Sequence, residues 1–320
     1  MLFGLIKRAA GNFIKSRGYL ISKPTEIEKR YLRSPWAYLT HDPSRFATVY
    51  ENNRKLLKSV TSWISPQALS GSLWRYGVPV EFDAASPHGA MNQSGLPDVD
   101  PEITSADLLA FIASQLCDLR YLEIGVSVGK TFLQICDQFR SAQIVGLDVE
   151  DVNPALLSRF HQPQITWQAP TPYEVETLSG QRAKKHATMT ALSSTVHYLS
   201  ADQFRDDTWK KLAGQKFNLV FSDGVHSAAA LQAELQFLLK YDLIDGECFA
   251  MFWDDLWGDD MQSTFLDNAK TLCSRFGRGD DAIALFTLHG SYGYPRPMGL
   301  FCSFDLADCS SADPKAALKR

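Results

Sequence analysis

Five short apolar runs, each ending in an acid or a polar turn, constrain this chain more than any other feature. They are Tyr121–Ile124, Ile144–Asp148, Val196–Ser200, 217–222 and 248–253. Runs this short and this apolar suit strands buried on both faces. Helical patterns lie between them: Thr131–Phe139 would bury Phe132, Ile135, Cys136 and Phe139, and Leu231, Leu235 and Leu238 follow the fourth run. Strands alternating with helices predict a parallel sheet covered on both faces. Ala284–Leu288 and Leu300–Phe304, joined by the turn-rich segment 289–297, predict an antiparallel end to that sheet. Ahead of the first strand, Ser105–Gln115 is a helix candidate with Ser105 as its N-cap.

The remaining segments have other patterns. Residues 1–103 read as a mainly helical N-terminal region and linker. Phe46, Tyr50, Leu56, Leu57, Val60 and Ile64 recur at helical spacing, and 84–101 is rich in Pro, Gly, Ser and Asp. Residues 104–305 form the α/β domain, and 306–320 a loose polar tail. The second and third strands stand too far apart for one connecting helix. The excess, about 165–195, is expected to be a lid over the site.

Bulk properties exclude some functions. The chain has 320 residues, 45% of them apolar, with a net charge of −4, so nucleic acid is not an expected partner. Eight basic residues against two acids in 1–33 suit either weak contact with a membrane surface or a solvated helix face. The apolar N-terminal stretch is broken by Lys7 and Arg8, too short for a signal core. Six scattered cysteines without a C-x-x-C pair read as reduced thiols of a cytoplasmic protein. A homo-oligomer is compatible with all of this.

Chemistry concentrates at the ends of the fourth and fifth runs. Asp223-Gly-Val-His226 follows one and Asp254-Asp255 the other. Carboxylates and an imidazole at the ends of buried strands are costly unless a metal, a substrate or a partner charge uses them. In doubly wound sheets, ligands gather at these C-terminal ends. Three carboxylates suit a hard cation, Mg²⁺ first. Alternation along a strand would send Asp254 and Asp255 to opposite faces, so both reach one ion only if the chain curls there.

The turn Glu123-Ile-Gly125-Val-Ser127-Val-Gly129 lies between a strand and a helix, where backbone amides favour an anionic group. It is neither G-x-G-x-x-G nor a P-loop, because three residues separate Gly125 from Gly129. Asp148 closes the next strand, where such folds place an acid for ribose hydroxyls. Asp202 follows the third.

This turn and its two following acids resemble the first motifs of class I S-adenosylmethionine (SAM)-dependent methyltransferases. Asp223-Gly-Val-His226 with Asp254-Asp255 resembles the metal-dependent sugar O-methyltransferase and cephalosporin-hydroxylase-like branch, over about 118–305. The resemblance implies a Rossmann-like, seven-stranded, mostly parallel sheet. It implies SAM held by Glu123, Gly125, Ser127, Gly129, Asp148 and Asp202, and Mg²⁺ held by Asp223, Asp254 and Asp255. His226 would be the general base for methylation of a hydroxyl on a sugar or polyol-bearing small molecule or glycan. A metal bound to that hydroxyl would lower its pKa, and imidazole suits proton transfer near neutral pH.

Plainer readings stay open. His226 or Asp223 could cap the following helix, and Asp254 and Asp255 could be a solvated loop. Trp253 and Trp257 suit the core as well as a sugar platform, and His289 and Tyr292 are candidate substrate contacts. The rival functions are a metal-independent N- or O-methyltransferase and a non-catalytic binding or scaffold protein.

Overall fold

The computed structural model describes residues 26–31, 43–59, 103–127, 129–139, 141–149, 165–168, 175–176, 182–183, 186–191, 194–288 and 296–304. The expectations for the linker 84–101, the tail from 306, and most of the basic N-terminal segment lie outside them.

In chain order the elements are α1 (Glu26–Tyr31), α2 (Pro43–Ser59), α3 (Ser105–Ala113), β1 (Arg120–Ile124), α4 (Lys130–Gln138) and β2 (Gln143–Asp148). The segment that follows carries β3 (Ile165–Gln168), β4 (Val175–Glu176), β5 (Arg182–Ala183) and β6 (His186–Ala191). Then come β7 (Ser194–Ser200), α5 (Asp206–Lys210), β8 (Leu219–Ser222), α6 (Ala228–Lys240) and β9 (Ala250–Trp253). The domain closes with α7 (Asp259–Phe276), β10 (Ile283–Leu288) and β11 (Arg296–Cys302).

The main sheet runs β10-β11-β9-β8-β1-β2-β7-β6-β3. The pairs of β7 with β2, β2 with β1, β1 with β8 and β8 with β9 are parallel, in the doubly wound order. β11 is inserted between β9 and β10 and pairs antiparallel with both. All seven strands of the sequence reading are present with slightly shifted ends. Two more, β6 and β3, add antiparallel beyond β7. Within the segment expected to form a lid, β3 and β6 join the sheet, while β4 and β5 pair with each other in a separate two-stranded sheet. Backbone pairing gives the reason: β7 would otherwise be a bare edge.

Side-chain alternation divides the core into two layers. Tyr121, Ile144, Phe221 and Phe252 face one side with Phe111 and Phe132. Leu122, Val145, Val220, Met251 and Trp253 face the other, with Leu231, Leu235 and Phe265. The aromatic pairs Phe221–Phe252 and Trp253–Phe265 lie within these layers. The thiols of Cys273 and Cys302 donate to the carbonyls of Gly279 and Phe304. Among the described residues, no helix is long and apolar enough to cross a membrane.

The N-cap of α3 is Thr104, one residue before the expected Ser105. Thr104 and Asp107 form a capping box, each side chain bonded to the other's backbone amide. Asp107 also accepts from Asn53 at 2.7 Å and from Arg54 at 2.7 Å, both on α2. That buried acid both starts α3 and anchors α2 to the domain. Asp107→Ala would leave Arg54 buried without its carboxylate and the cap unmade. It should lower stability by about 3–5 kcal/mol in a urea titration.

Candidate active site

The glycine turn after β1 owes its shape to backbone freedom. Gly125, Ser127 and Gly129 have φ values of 86°, 51° and 81°. A Cβ on Gly125 would overlap the carbonyl of Asp223 and the Cα of Gly224. Only glycine lets the turn approach the end of β8 this closely. The backbone ladder continues through the contact: Asp223 N donates to Ile124 O at 2.7 Å, and Gly125 N to Leu147 O at 2.7 Å.

Of the acids expected at SAM, Asp148 bonds to the turn, and Glu123 and Asp202 bond elsewhere. Asp148 accepts from the amide of Ser127 at 2.6 Å and so fixes the left-handed residue. Glu123 is buried and accepts from the Tyr121 hydroxyl at 2.7 Å. Burial raises its carboxyl to about 8, against hydrogen bonds from Tyr121 and the Phe132 amide. Asp202 accepts from the amide of Phe204 at 2.8 Å, and its carbonyl accepts from Thr208. Glu123, Asp148 and Asp202 thus sit around one turn and two strand ends. Gly129 begins α4 without a side-chain cap. The turn's glycine conformations and uncapped helix start suit a small ligand that approaches the backbone.

A doubly wound sheet closed by an inserted antiparallel strand, with this turn after its first strand and an acid after its second, decides the fold. It is the class I methyltransferase fold. Several solved structures are similar to this chain. The O-methyltransferase TomG from Streptomyces achromogenes, in complex with SAM, is 15% identical over 65% of this chain and 83% of its own, with a TM-score of 0.39. The Podospora anserina methyltransferase PaMTH1, bound to SAH, is 17% identical over 63% and 80%, at 0.36. The Bacillus cereus O-methyltransferase, in complex with SAH, is 12% identical over 63% and 82%, at 0.37. No protein-family model and no curated protein matches the chain. At this level of likeness, nothing about substrate or catalytic residues passes from these proteins to this one.

In this methyltransferase fold the second cluster gathers beside the glycine turn, at the ends of β8 and β9. Asp254 is 2% exposed, and the amide of Asp255 donates to its Oδ1 at 2.9 Å. Asp255 has φ 52°, so the chain curls as the strand ends. That curl brings both acids to one side, which simple alternation would not do. His226 Nε2 lies 3.7 Å from Asp223 Oδ1. The helix α6 is capped by Ser227, whose hydroxyl accepts from Ala230 N. His226 and Asp223 are therefore not its N-cap. Trp253 is buried in the core, whereas Trp257 is half-exposed. His289 and Tyr292 lie outside the described residues.

Sequence reasoning missed Arg296. It is 5% exposed, and its Nη1 donates to Asp254 Oδ2 at 2.8 Å and stands 3.9 Å from Asp255 Oδ1. Topology brings it there. Because β11 runs antiparallel, its first residue lies where the neighbouring parallel strand ends. The available signal was electrostatic: buried acids needed a cation, and Pro295-Arg296-Pro297 supplied one at the edge of an apolar run.

Carboxylates are the donor type a hard cation takes. Burial, then the charge and hydrogen bond of Asp254, raises Asp223 well above the usual carboxylate range. Burial and Asp254 also raise Asp255 to about 6, opposed by Arg296, His226 and Trp257. Asp255 Oδ1 is buried without a hydrogen-bond partner. One guanidinium therefore leaves negative charge that a divalent cation would offset. As the side chains stand, no three acids, cysteines or histidines among the described residues are grouped as metal ligands.

Behind the site, Glu234 on α6 accepts from Ser222 Oγ at 2.6 Å and from Gln203 Nε2 at 3.1 Å. It joins the strand end before Asp223 to the loop after β7. Burial raises its carboxyl from 4.5 to about 8, although both hydrogen bonds lower it. The folded protein keeps this proton between pH 4.5 and 8 while the unfolded chain releases it, so stability falls as pH rises through that window. Glu234→Gln should flatten the decline and leave the variant relatively more stable at pH 8 than at pH 4.5, by on the order of a few kcal/mol. Urea titrations across a pH series measure it. Gly125→Ala should cost about 1–3 kcal/mol from the left-handed backbone alone, and more from overlap with Asp223. A lowered melting temperature would register both.

Proposed function

We propose that this protein transfers the methyl group of SAM to a hydroxyl, on a sugar or other polyol-bearing small molecule. The observation that carries this reading is the contact of Gly125 with Asp223 and Gly224. It supports the reading by bringing the glycine turn against the loop that carries Asp223 and His226. Glu123, Gly125, Ser127, Gly129, Asp148 and Asp202 would form the SAM side of the cleft. When bound, SAM supplies a methyl on a sulfonium, which an acceptor oxygen takes as the sulfur–carbon bond breaks and a neutral thioether leaves.

His226 is the residue of this chain suited to the acceptor's proton. Its side chain is more than a third exposed, so an acceptor can reach it. Proton transfer from the hydroxyl to Nε2 would create an imidazolium 3.7 Å from Asp223 Oδ1. Asp223, Asp254 and Asp255 would hold Mg²⁺, which lowers a bound hydroxyl's pKa and orients it. Alignment of acceptor oxygen and methyl in such a cleft supplies roughly 7–11 kcal/mol of barrier lowering. A metal-independent reading, with the acids binding the acceptor directly, is favoured by the ion pair of Arg296 with Asp254.

Calorimetry with SAM and a methyl-transfer assay on polyhydroxylated acceptors test the reading together. SAM should bind at micromolar to millimolar concentration, and absence of binding sinks every methyltransferase reading. His226→Ala should bind SAM as the wild type does and lose about 10²–10⁴-fold in kcat. An unchanged kcat would remove His226 as base. Activity lost in EDTA and restored by Mg²⁺ separates the metal-dependent reading from the metal-independent one.

A further inference from the structure

Arg296 occupies the position that the sequence reading gives to a metal ion. Both oxygens of Asp254 already have partners: Oδ1 takes the amide of Asp255 at 2.9 Å, and Oδ2 takes Arg296 Nη1 at 2.8 Å. The same Nη1 stands 3.9 Å from Asp255 Oδ1, a buried oxygen with no hydrogen-bond partner. One nitrogen therefore faces both acids of the pair. A guanidinium hydrogen-bonded to a carboxylate oxygen and a cation coordinated by that oxygen compete for the same lone pairs and the same space.

The placement is built into the fold. Pro297 O accepts from Leu256 N at 2.8 Å, which pins the start of β11 to the loop after Asp254 and Asp255. Arg296 also sits with its charge 7% exposed at the side chain, facing an Asp254 side chain that is 1% exposed. A long side chain buried to this extent is ordered as part of the site.

We propose that Arg296 is a resident counter-cation of the acid cluster, which a divalent metal must displace from Asp254 and Asp255 to enter. The inference rests on the metal reading above and deepens it. Arg296 keeps the acids together when no metal is bound, and it weakens metal affinity relative to the three carboxylates alone. The enzyme then takes up metal only where another gain, such as a bound polyol acceptor, adds to it.

Binding of Mn²⁺ as the probe, followed by calorimetry and by electron paramagnetic resonance of the free ion, tests this on the full chain. Arg296→Gln removes the charge and Arg296→Lys keeps it on a shorter, single-point donor. Arg296→Gln should bind Mn²⁺ at least about tenfold more tightly than the wild type, with Arg296→Lys between them. Arg296→Gln should also melt lower without Mn²⁺ and regain its melting temperature with it, while the wild type gains little. If Arg296→Gln folds only in Mn²⁺, that itself supports the proposal, and Arg296→Lys then decides the affinity order. Equal affinities in wild type and variants overturn it, as does a variant that binds Mn²⁺ less tightly than the wild type. If no form binds Mn²⁺, the metal reading fails as well. Calorimetry with SAM on the same samples shows whether the methyltransferase reading survives on its own.

Discussion

The approach of Gly125 to the backbone of Asp223 and Gly224 is the contact on which the candidate site depends. A side chain at that position would force the turn after β1 away from the end of β8. The two neighbouring strands would still pair, but their C-terminal loops would part. The glycine turn and the loop that carries Asp223 lie together because a missing Cβ lets them touch. Glu234, Ser222 and Gln203 hold the outer side of the same junction.

Charge is the second constraint. Asp223, Asp254 and Asp255 crowd one place, and burial with mutual repulsion raises two of them. Such a cluster is stable only with compensation. Arg296 supplies part of it from a strand distant in sequence. The imidazole of His226 stands at the exposed margin, close to Asp223. Asp254 and Asp255 are mostly buried with Arg296, whereas His226 is more exposed.

Much of this was legible in the chain. The apolar runs marked all seven strands of the methyltransferase fold because strands buried on both faces must be apolar throughout. Glycine spacing marked the turn, and acids at strand ends marked the cluster. Alternation alone does not show how the chain turns after Asp254; Asp255 has φ 52°. Length signals the insertion at 165–195, but residue pattern does not mark that its β3 and β6 extend the sheet beyond β7. Thr104 displaced Ser105 as a cap because Asp107, three residues on, reciprocates its hydrogen bond. Arg296 went unweighed because its partners lie 41 and 42 residues away in sequence.

The sequence by itself determined the class of fold, the order of its strands along the chain and the residue types at their ends. Those depend on periodicity, glycine and local charge, which act over a few residues. Only the tertiary structure decided which strand lay beside which, and therefore that an arginine opening an antiparallel strand would meet acids closing a parallel one. That meeting depends on the direction of β11 relative to β9, a property of the sheet and not of either segment.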